Sequence, residues 1–160
     1  GTTLPCVIVG DGPMRQEWET LPSVLGLQSQ VHFVGEVSDE ARAASYAAAS
    51  LFVLPSSAPS ETFGLGQLEA MARGLPVVAC RASEGVASIH VEGETGLLVP
   101  PRDPDALRQA MVSLWEDPDR AQILARAALE RVRAFFSLER SLDRFETLFD
   151  QVATGRSTAP

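Results

Sequence analysis

Two carboxylates, Glu61 and Glu69, stand eight positions apart in the stretch LFVLPSSAPSETFGLGQLEAMARG, from Leu51 to Gly74. Leu51-Phe52-Val53-Leu54 reads as a buried strand, and Pro55 to Ser60 breaks it with turn-forming residues. From Gly64 to Arg73 most residues are helix formers, with Leu65, Leu68 and Ala72 on one face and Gly74 as the stop. The first turn of such a helix has unpaired N–H groups and the positive end of the helix dipole, which suits a phosphate. Phe63, Gly64 and Leu65 would supply the amides, and Gly64 and Gly66 remove side chains where a ligand would approach the backbone. A carboxylate repels a phosphate. The chemistry open to Glu61 and Glu69 is therefore acceptance of hydrogen bonds from hydroxyls beside the phosphate, on a sugar or a ribose. On spacing alone, a solvated loop charge and a surface helix residue account for the pair more simply.

The elements around this stretch alternate. Leu4 to Val9 is a strand that ends in Gly10-Asp11-Gly12-Pro13, followed by a helix from about Met14 to Leu25. Val31 to Gly35 is a second strand, and Ser38 or Asp39 caps a helix to about Ala49 whose Ala43, Ala44, Ala47 and Ala48 suit packing on a sheet. Pro76 to Cys80 makes a fourth strand after the one at Leu51, and Gly96 to Val99 a fifth, with one or two helical turns over Val86 to Val91 between them. Asp103-Pro104 starts a helix to about Glu116, Pro118 another to about Phe135, and Ser137 a last one to about Val152. Their apolar stripes, Leu107, Met111 and Leu114, then Leu124, Leu129 and Val132, then Leu142, Phe145 and Phe149, read as core-facing. Strands that alternate with helices and are apolar on both faces predict an α/β fold, a parallel sheet covered by helices. Ligands then bind beyond the carboxyl ends of the strands, where the loops after Gly10, Gly35, Leu54 and Cys80 would converge.

Composition sets outer bounds. The 160 residues suffice for one domain, expected over 1–153 with a disordered tail at 154–160. A net charge of -8, with 13 scattered basic residues, opposes a nucleic-acid or acidic-membrane surface. Cys6 and Cys80 lie in apolar strand runs and read as small buried hydrophobes; no zinc-ligand spacing is present, so no metal is expected. His32 and His90 read as structural. No stretch reaches the roughly 18 apolar residues of a membrane span, and the default setting is reducing and cytoplasmic. Gly10-Asp11-Gly12-Pro13 lacks the third glycine of a dinucleotide-binding turn, and a plain strand-to-helix turn is the simpler reading.

The string LPSSAPSETFGLGQLEAMARGLPVVA resembles the donor-binding signature of GT-B fold retaining glycosyltransferases of group 1, or family 4, whose hallmark is E-x7-E. VIVGDGPMR, VHFVGEV, EGETGLLVPPRDPDAL and FFSLER follow the order of such C-terminal domains, so the resemblance covers Val7 to Val152. It implies a Rossmann-like domain that binds a nucleotide diphosphate sugar, UDP- or GDP-linked, without a metal. Phe63, Gly64 and Leu65 would hold the diphosphate, Glu61 the transferred sugar as the catalytic carboxylate, and Glu69 the ribose. Gly35, Glu36 and Val37 would face the base. Donors fixed at the diphosphate act most strongly as its charge grows in the transition state.

The resemblance also implies parts outside this chain. The family carries an upstream strand with an Arg and a Lys, and an N-terminal domain with the acceptor site and a catalytic His. The strand would lie at the sheet centre, between those at Val7 and Phe52. Without it we expect a gap closed by a strand shift or by exchange with a second copy in a homodimer. Glu84-Gly85-Val86-Ala87-Ser88 replaces the family's Gly-Gly-x-x-Glu. The expected function is the donor-binding part of a transferase inactive as this piece alone, its parent cytoplasmic or peripheral at the inner membrane surface. The alternative is a noncatalytic nucleotide-binding or assembly module.

Overall fold

Short β-branched and apolar runs bounded by glycine or proline form parallel strands, and the longer segments between them form helices. The computed structural model describes residues 5–154, so the tail from residue 155 lies outside the described residues. The chain divides into two units, Gly1–Ala48 and Ala49–Pro160.

In the first unit β1 (Cys6–Val9) pairs in parallel with β2 (Val31–Gly35). The helix expected over residues 14–25 is two four-residue helices, α1 (Arg15–Trp18) and α2 (Leu21–Val24), because Pro22 has no N–H to continue a helix and starts a new one. α3 (Asp39–Ala48) buries Tyr46 rather than a face of alanines, since a phenol removes far more apolar surface from water than a methyl. Cys6 is exposed, not buried as expected, because neither face of β1 is fully covered.

In the second unit β3 (Phe52–Leu54), β4 (Val77–Cys80) and β5 (Leu97–Val99) pair in that order, all parallel. β4 is central and every one of its residues is buried. The helices of this unit are α4 (Leu65–Ala72), α5 (Glu84–Ile89), α6 (Pro104–Glu116), α7 (Pro118–Phe135) and α8 (Leu138–Thr154). The core joins Val78, Cys80 and Val99 to Leu114 of α6 and Ala121 and Leu124 of α7. Asp103 and Asp117 cap α6 and α7 by accepting from Ala106 N and Arg120 N, at 2.9 and 3.0 Å, where aspartate-proline pairs predict helix starts.

Two expectations change here. The strands make two sheets, and β1 and β3 belong to different ones, so no strand shift has paired them among the described residues. The stripe on α8 is exposed, with Leu142 at 52%, Phe145 at 59% and Phe149 at 70%: it has the period of a core-facing helix, but no element of the described residues covers it.

Candidate functional site

β3 ends at Leu54, and after ten intervening residues α4 begins at Leu65. The connecting loop carries Glu61, whose Oε2 accepts from Ser56 Oγ at 3.0 Å. Ser56, Ser57, Ala58, Ser60 and Glu61 line a cavity of about 250 Å³, smaller than the roughly 300–1,000 Å³ of a complete ligand pocket. Gly64 is the N-cap of α4, left-handed at φ 72 and ψ 63. A Cβ there would stand 2.6 Å from Leu54 Cδ2 and 3.0 Å from Gln67 Nε2. Glycine is thus required there by strain and by packing inside the protein.

The loop is held by its carbonyl oxygens. Ser83, the N-cap of α5, accepts from Val86 N at 3.2 Å while its Oγ donates to Glu61 O at 2.7 Å and reaches Thr62 O at 3.3 Å. Gln67 Nε2 donates to Phe63 O at 2.8 Å, and Gln67 N donates to Gly64 O at 3.0 Å. Four successive carbonyls, from Glu61 to Gly64, are therefore occupied. No peptide here is cis, and in a trans peptide the N–H points opposite the C=O. The N–H groups of Thr62, Phe63, Gly64 and Leu65 accordingly face the other way, and none has an acceptor among the described residues. Such a row at a helix start is an anion-binding arrangement.

Packing fixes the same loop from behind. A Cβ on Gly85 would lie 1.8 Å from Thr62 O, so α5 sits directly against the loop. The Phe63 ring meets the edge of Phe136, with centroids 6.2 Å apart at 62°. Arg131 of α7 stacks 5.8 Å from the Phe136 centroid and donates to Ser88 O and Ile89 O, the last carbonyls of α5. Ser88 Oγ donates to Gly85 O at 2.8 Å.

α4 buries Gln67, Ala70 and Met71, while Leu65 and Ala72 are exposed, contrary to the face expected from its leucines. A polar residue takes the core position because its amide finds partners there: Phe63 O, Val86 O at 3.5 Å and His90 Nε2 at 2.9 Å. His90 is buried, and its Nδ1 lies 3.3 Å from Thr95 O. Burial pushes the imidazole pKa down and Arg131 adds to this, against the Thr95 contact, which raises it. Glu69 is half-buried on α4, and its carbonyl accepts from Arg73 Nη1 at 3.0 Å.

Glu61, Phe63, Gly64, Leu65 and Glu69 thus fall on one loop and helix of the second unit, whereas Gly35 ends β2 in the first and Glu36 and Val37 follow it. Gly35 is buried, and the Arg15 guanidinium occupies the space its side chain would need; Glu36 is exposed and Val37 half-buried. Arg15 is tied at 2.9 Å to Asp11 and at 2.7 Å to Glu19. The Asp11 carboxyl is held below its usual range by the Gly12 N–H and then by Arg15. Gly10-Asp11-Gly12-Pro13 is thereby bonded as a turn. Sequence reasoning missed Ser56, Gln67 and Ser83; only Ser83 has a local signal, a serine three residues before Val86 at a helix start. Among the described residues no group of three or more His, Cys, Asp or Glu is placed to hold a metal, and no helix is long and apolar enough to cross a membrane.

The sequence model of glycosyl transferases group 1 matches residues 2–117. The chain belongs to this family. Among curated relatives, D-rhamnosyltransferase WbpZ of Pseudomonas aeruginosa is 42% identical over 137 residues, 86% of this chain and 36% of that protein. O-antigen chain mannosyltransferase C of Escherichia coli is 29% identical over 96% of this chain and 41% of its own length. The chain therefore spans about two fifths or less of these relatives. Of solved structures, sucrose-phosphate synthase from Thermosynechococcus elongatus superposes with a TM-score of 0.81 at 36% identity, covering 93% of this chain and 38% of that one. Alr3699/HepE of Anabaena, in complex with UDP and glucose, gives a TM-score of 0.83 at 28% identity, covering 94% and 41%. The group 1 chain thus has the α/β fold, parallel strands flanked by helices, of GT-B glycosyltransferase C-terminal domains.

Proposed function

We propose that this chain is the donor-binding part of a glycosyltransferase that moves a sugar from a UDP- or GDP-sugar to an acceptor with retention of configuration. The observation that carries the reading is the row of N–H groups from Thr62 to Leu65, freed because every carbonyl paired with them is bonded inward. Similarity to a protein solved with UDP and glucose supports a nucleotide-sugar as the anion. The amides of Phe63, Gly64 and Leu65 hold the diphosphate and stabilise the charge that grows on it as the glycosidic bond breaks. Glu61, beside the serine-lined cavity, accepts from hydroxyls of the transferred sugar, and Glu69 from those of the ribose. Gly35, Glu36 and Val37 face the base. The N–H row and helix dipole do the work of a cation, so transfer proceeds without a metal. The acceptor site belongs to a further domain of the parent, cytoplasmic or peripheral at the membrane.

The test is titration of the 15N-labelled chain with UDP and with GDP. We expect shifts centred on Phe63, Gly64 and Leu65; saturable binding elsewhere, with these amides unmoved, would overturn the site. β1 and β3 each pair on one edge only among the described residues, and a second copy exchanging a strand is the arrangement we propose there. Analytical ultracentrifugation showing only monomer would refute it.

A further inference from the structure

Gln67 is wholly buried, and its amide has only one workable sense. Its nitrogen faces Phe63 O at 2.8 Å and Val86 O at 3.5 Å, and carbonyl oxygens only accept. Turning the amide over would set oxygen against oxygen at both. Oε1 therefore faces His90 Nε2 at 2.9 Å, and the ring must carry its proton there. Buried and neutral, the imidazole then presents a lone pair, not an N–H, to Thr95 O at 3.3 Å. The ring is thus held in place chiefly from the Gln67 side.

The other end of this relay is the peptide joining Phe63 to Gly64. Its oxygen is the one Gln67 holds, and its nitrogen belongs to the row proposed to bind the diphosphate. Because that peptide is trans, fixing the carbonyl fixes the direction of the Gly64 N–H. A hydrogen-bond donor aimed before the ligand arrives loses little orientational freedom on binding. We propose that Gln67, braced by His90, is the positioning residue that aims the Gly64 N–H at the donor diphosphate, a role that rests on the donor-site reading above.

The test uses the 15N-labelled chain, UDP as probe, and Gln67→Met, which keeps the length of the side chain and removes its N–H groups. In the unsubstituted chain the ring nitrogens of His90 should show the proton on Nε2. In the variant UDP should bind about tenfold more weakly, as expected for loss of one oriented donor to a phosphate. The UDP-induced shift of Gly64 should also shrink relative to that of Leu65. A general loosening would lower both shifts alike and overturn the proposal, as would unchanged affinity in a folded variant. Should Gln67→Met not fold, His90→Phe takes its place: it removes the N–H that braces Gln67 Oε1, so the amide is held from its nitrogen side alone, and affinity should fall about threefold, a smaller fraction of the same bond. Unchanged affinity there overturns the proposal. If the unsubstituted chain shows no UDP response at Phe63, Gly64 and Leu65, the donor-site reading itself fails and this role fails with it.

Discussion

The Ser83 hydroxyl donates to the carbonyl oxygen of Glu61 at 2.7 Å, across 22 positions of sequence. The same oxygen atom caps α5 by accepting from Val86 N, so one side chain fixes both a helix start and the loop with the candidate catalytic carboxylate. Ser83→Ala removes both. It should destabilise the second unit by about 1–2 kcal/mol, a lost cap plus a lost buried bond. Urea denaturation followed by fluorescence measures this, and UDP affinity should fall with it because Glu61 and Thr62 are no longer held.

Gly85→Ala tests the close packing of α5 on the loop. The added carbon would stand 1.8 Å from Thr62 O, a backbone atom that cannot swing aside as a flexible side-chain end can. Overpacking of this kind costs about 1–3 kcal/mol, so Tm should drop by several degrees in a thermal melt. A melt unchanged from that of the unsubstituted chain would show that the helix does not lie against the loop.

Glu61→Ala belongs in the intact transferase. If Glu61 touches the transferred sugar, turnover should fall on the order of a hundredfold or more while circular dichroism stays the same. The substitution also separates an enzyme from a noncatalytic module, the alternative supported by Glu84 and Ser88 standing where the resemblance implies a first glycine and an acid. A parent with no transferase activity to lose would support the module.

His90 predicts a pH dependence of stability. Its folded-state pKa lies below the ordinary value of 6.5, chiefly because burial disfavours the charged ring. Below about pH 6.5 the unfolded chain therefore binds more protons than the folded one, and stability falls as pH drops towards the folded-state pKa. The contribution is fully present above pH 6.5. Melts of the unsubstituted chain and of His90→Phe, compared across this range, should converge as the pH is lowered; parallel curves would contradict the prediction.

How much of this was legible in the chain depends on how local the cause is. Asp103-Pro104 and Asp117-Pro118 specify the starts of α6 and α7 because cap and proline act within one turn. The break from β3 into the loop and α4 was also readable. The buried face of α4 was not, because periodicity counts Gln67 as polar and its partners, Val86 and His90, lie 19 and 23 residues away. At Gly64 glycine is also required by Leu54 and by its own φ, and neither cause is local enough to show in the sequence. Pro22 is visible in the sequence, and it divides the single helix expected over residues 14–25 into α1 and α2. The stripe on α8 shows the opposite limit: its period is that of a buried helix, and the sequence alone does not say what meets it.

The inward bonding of the carbonyls from Glu61 to Gly64 gives the loop a polarity of its own. Its oxygen edge is taken up by Ser83 and Gln67, and its nitrogen edge points the opposite way. An acidic chain of net charge -8 thereby gains a local electropositive strip from peptide groups alone. Peptide N–H groups neither titrate near neutral pH nor accept acylation or methylation as a lysine does. Whatever anion rests on this strip is held by charge that pH and side-chain modification leave untouched.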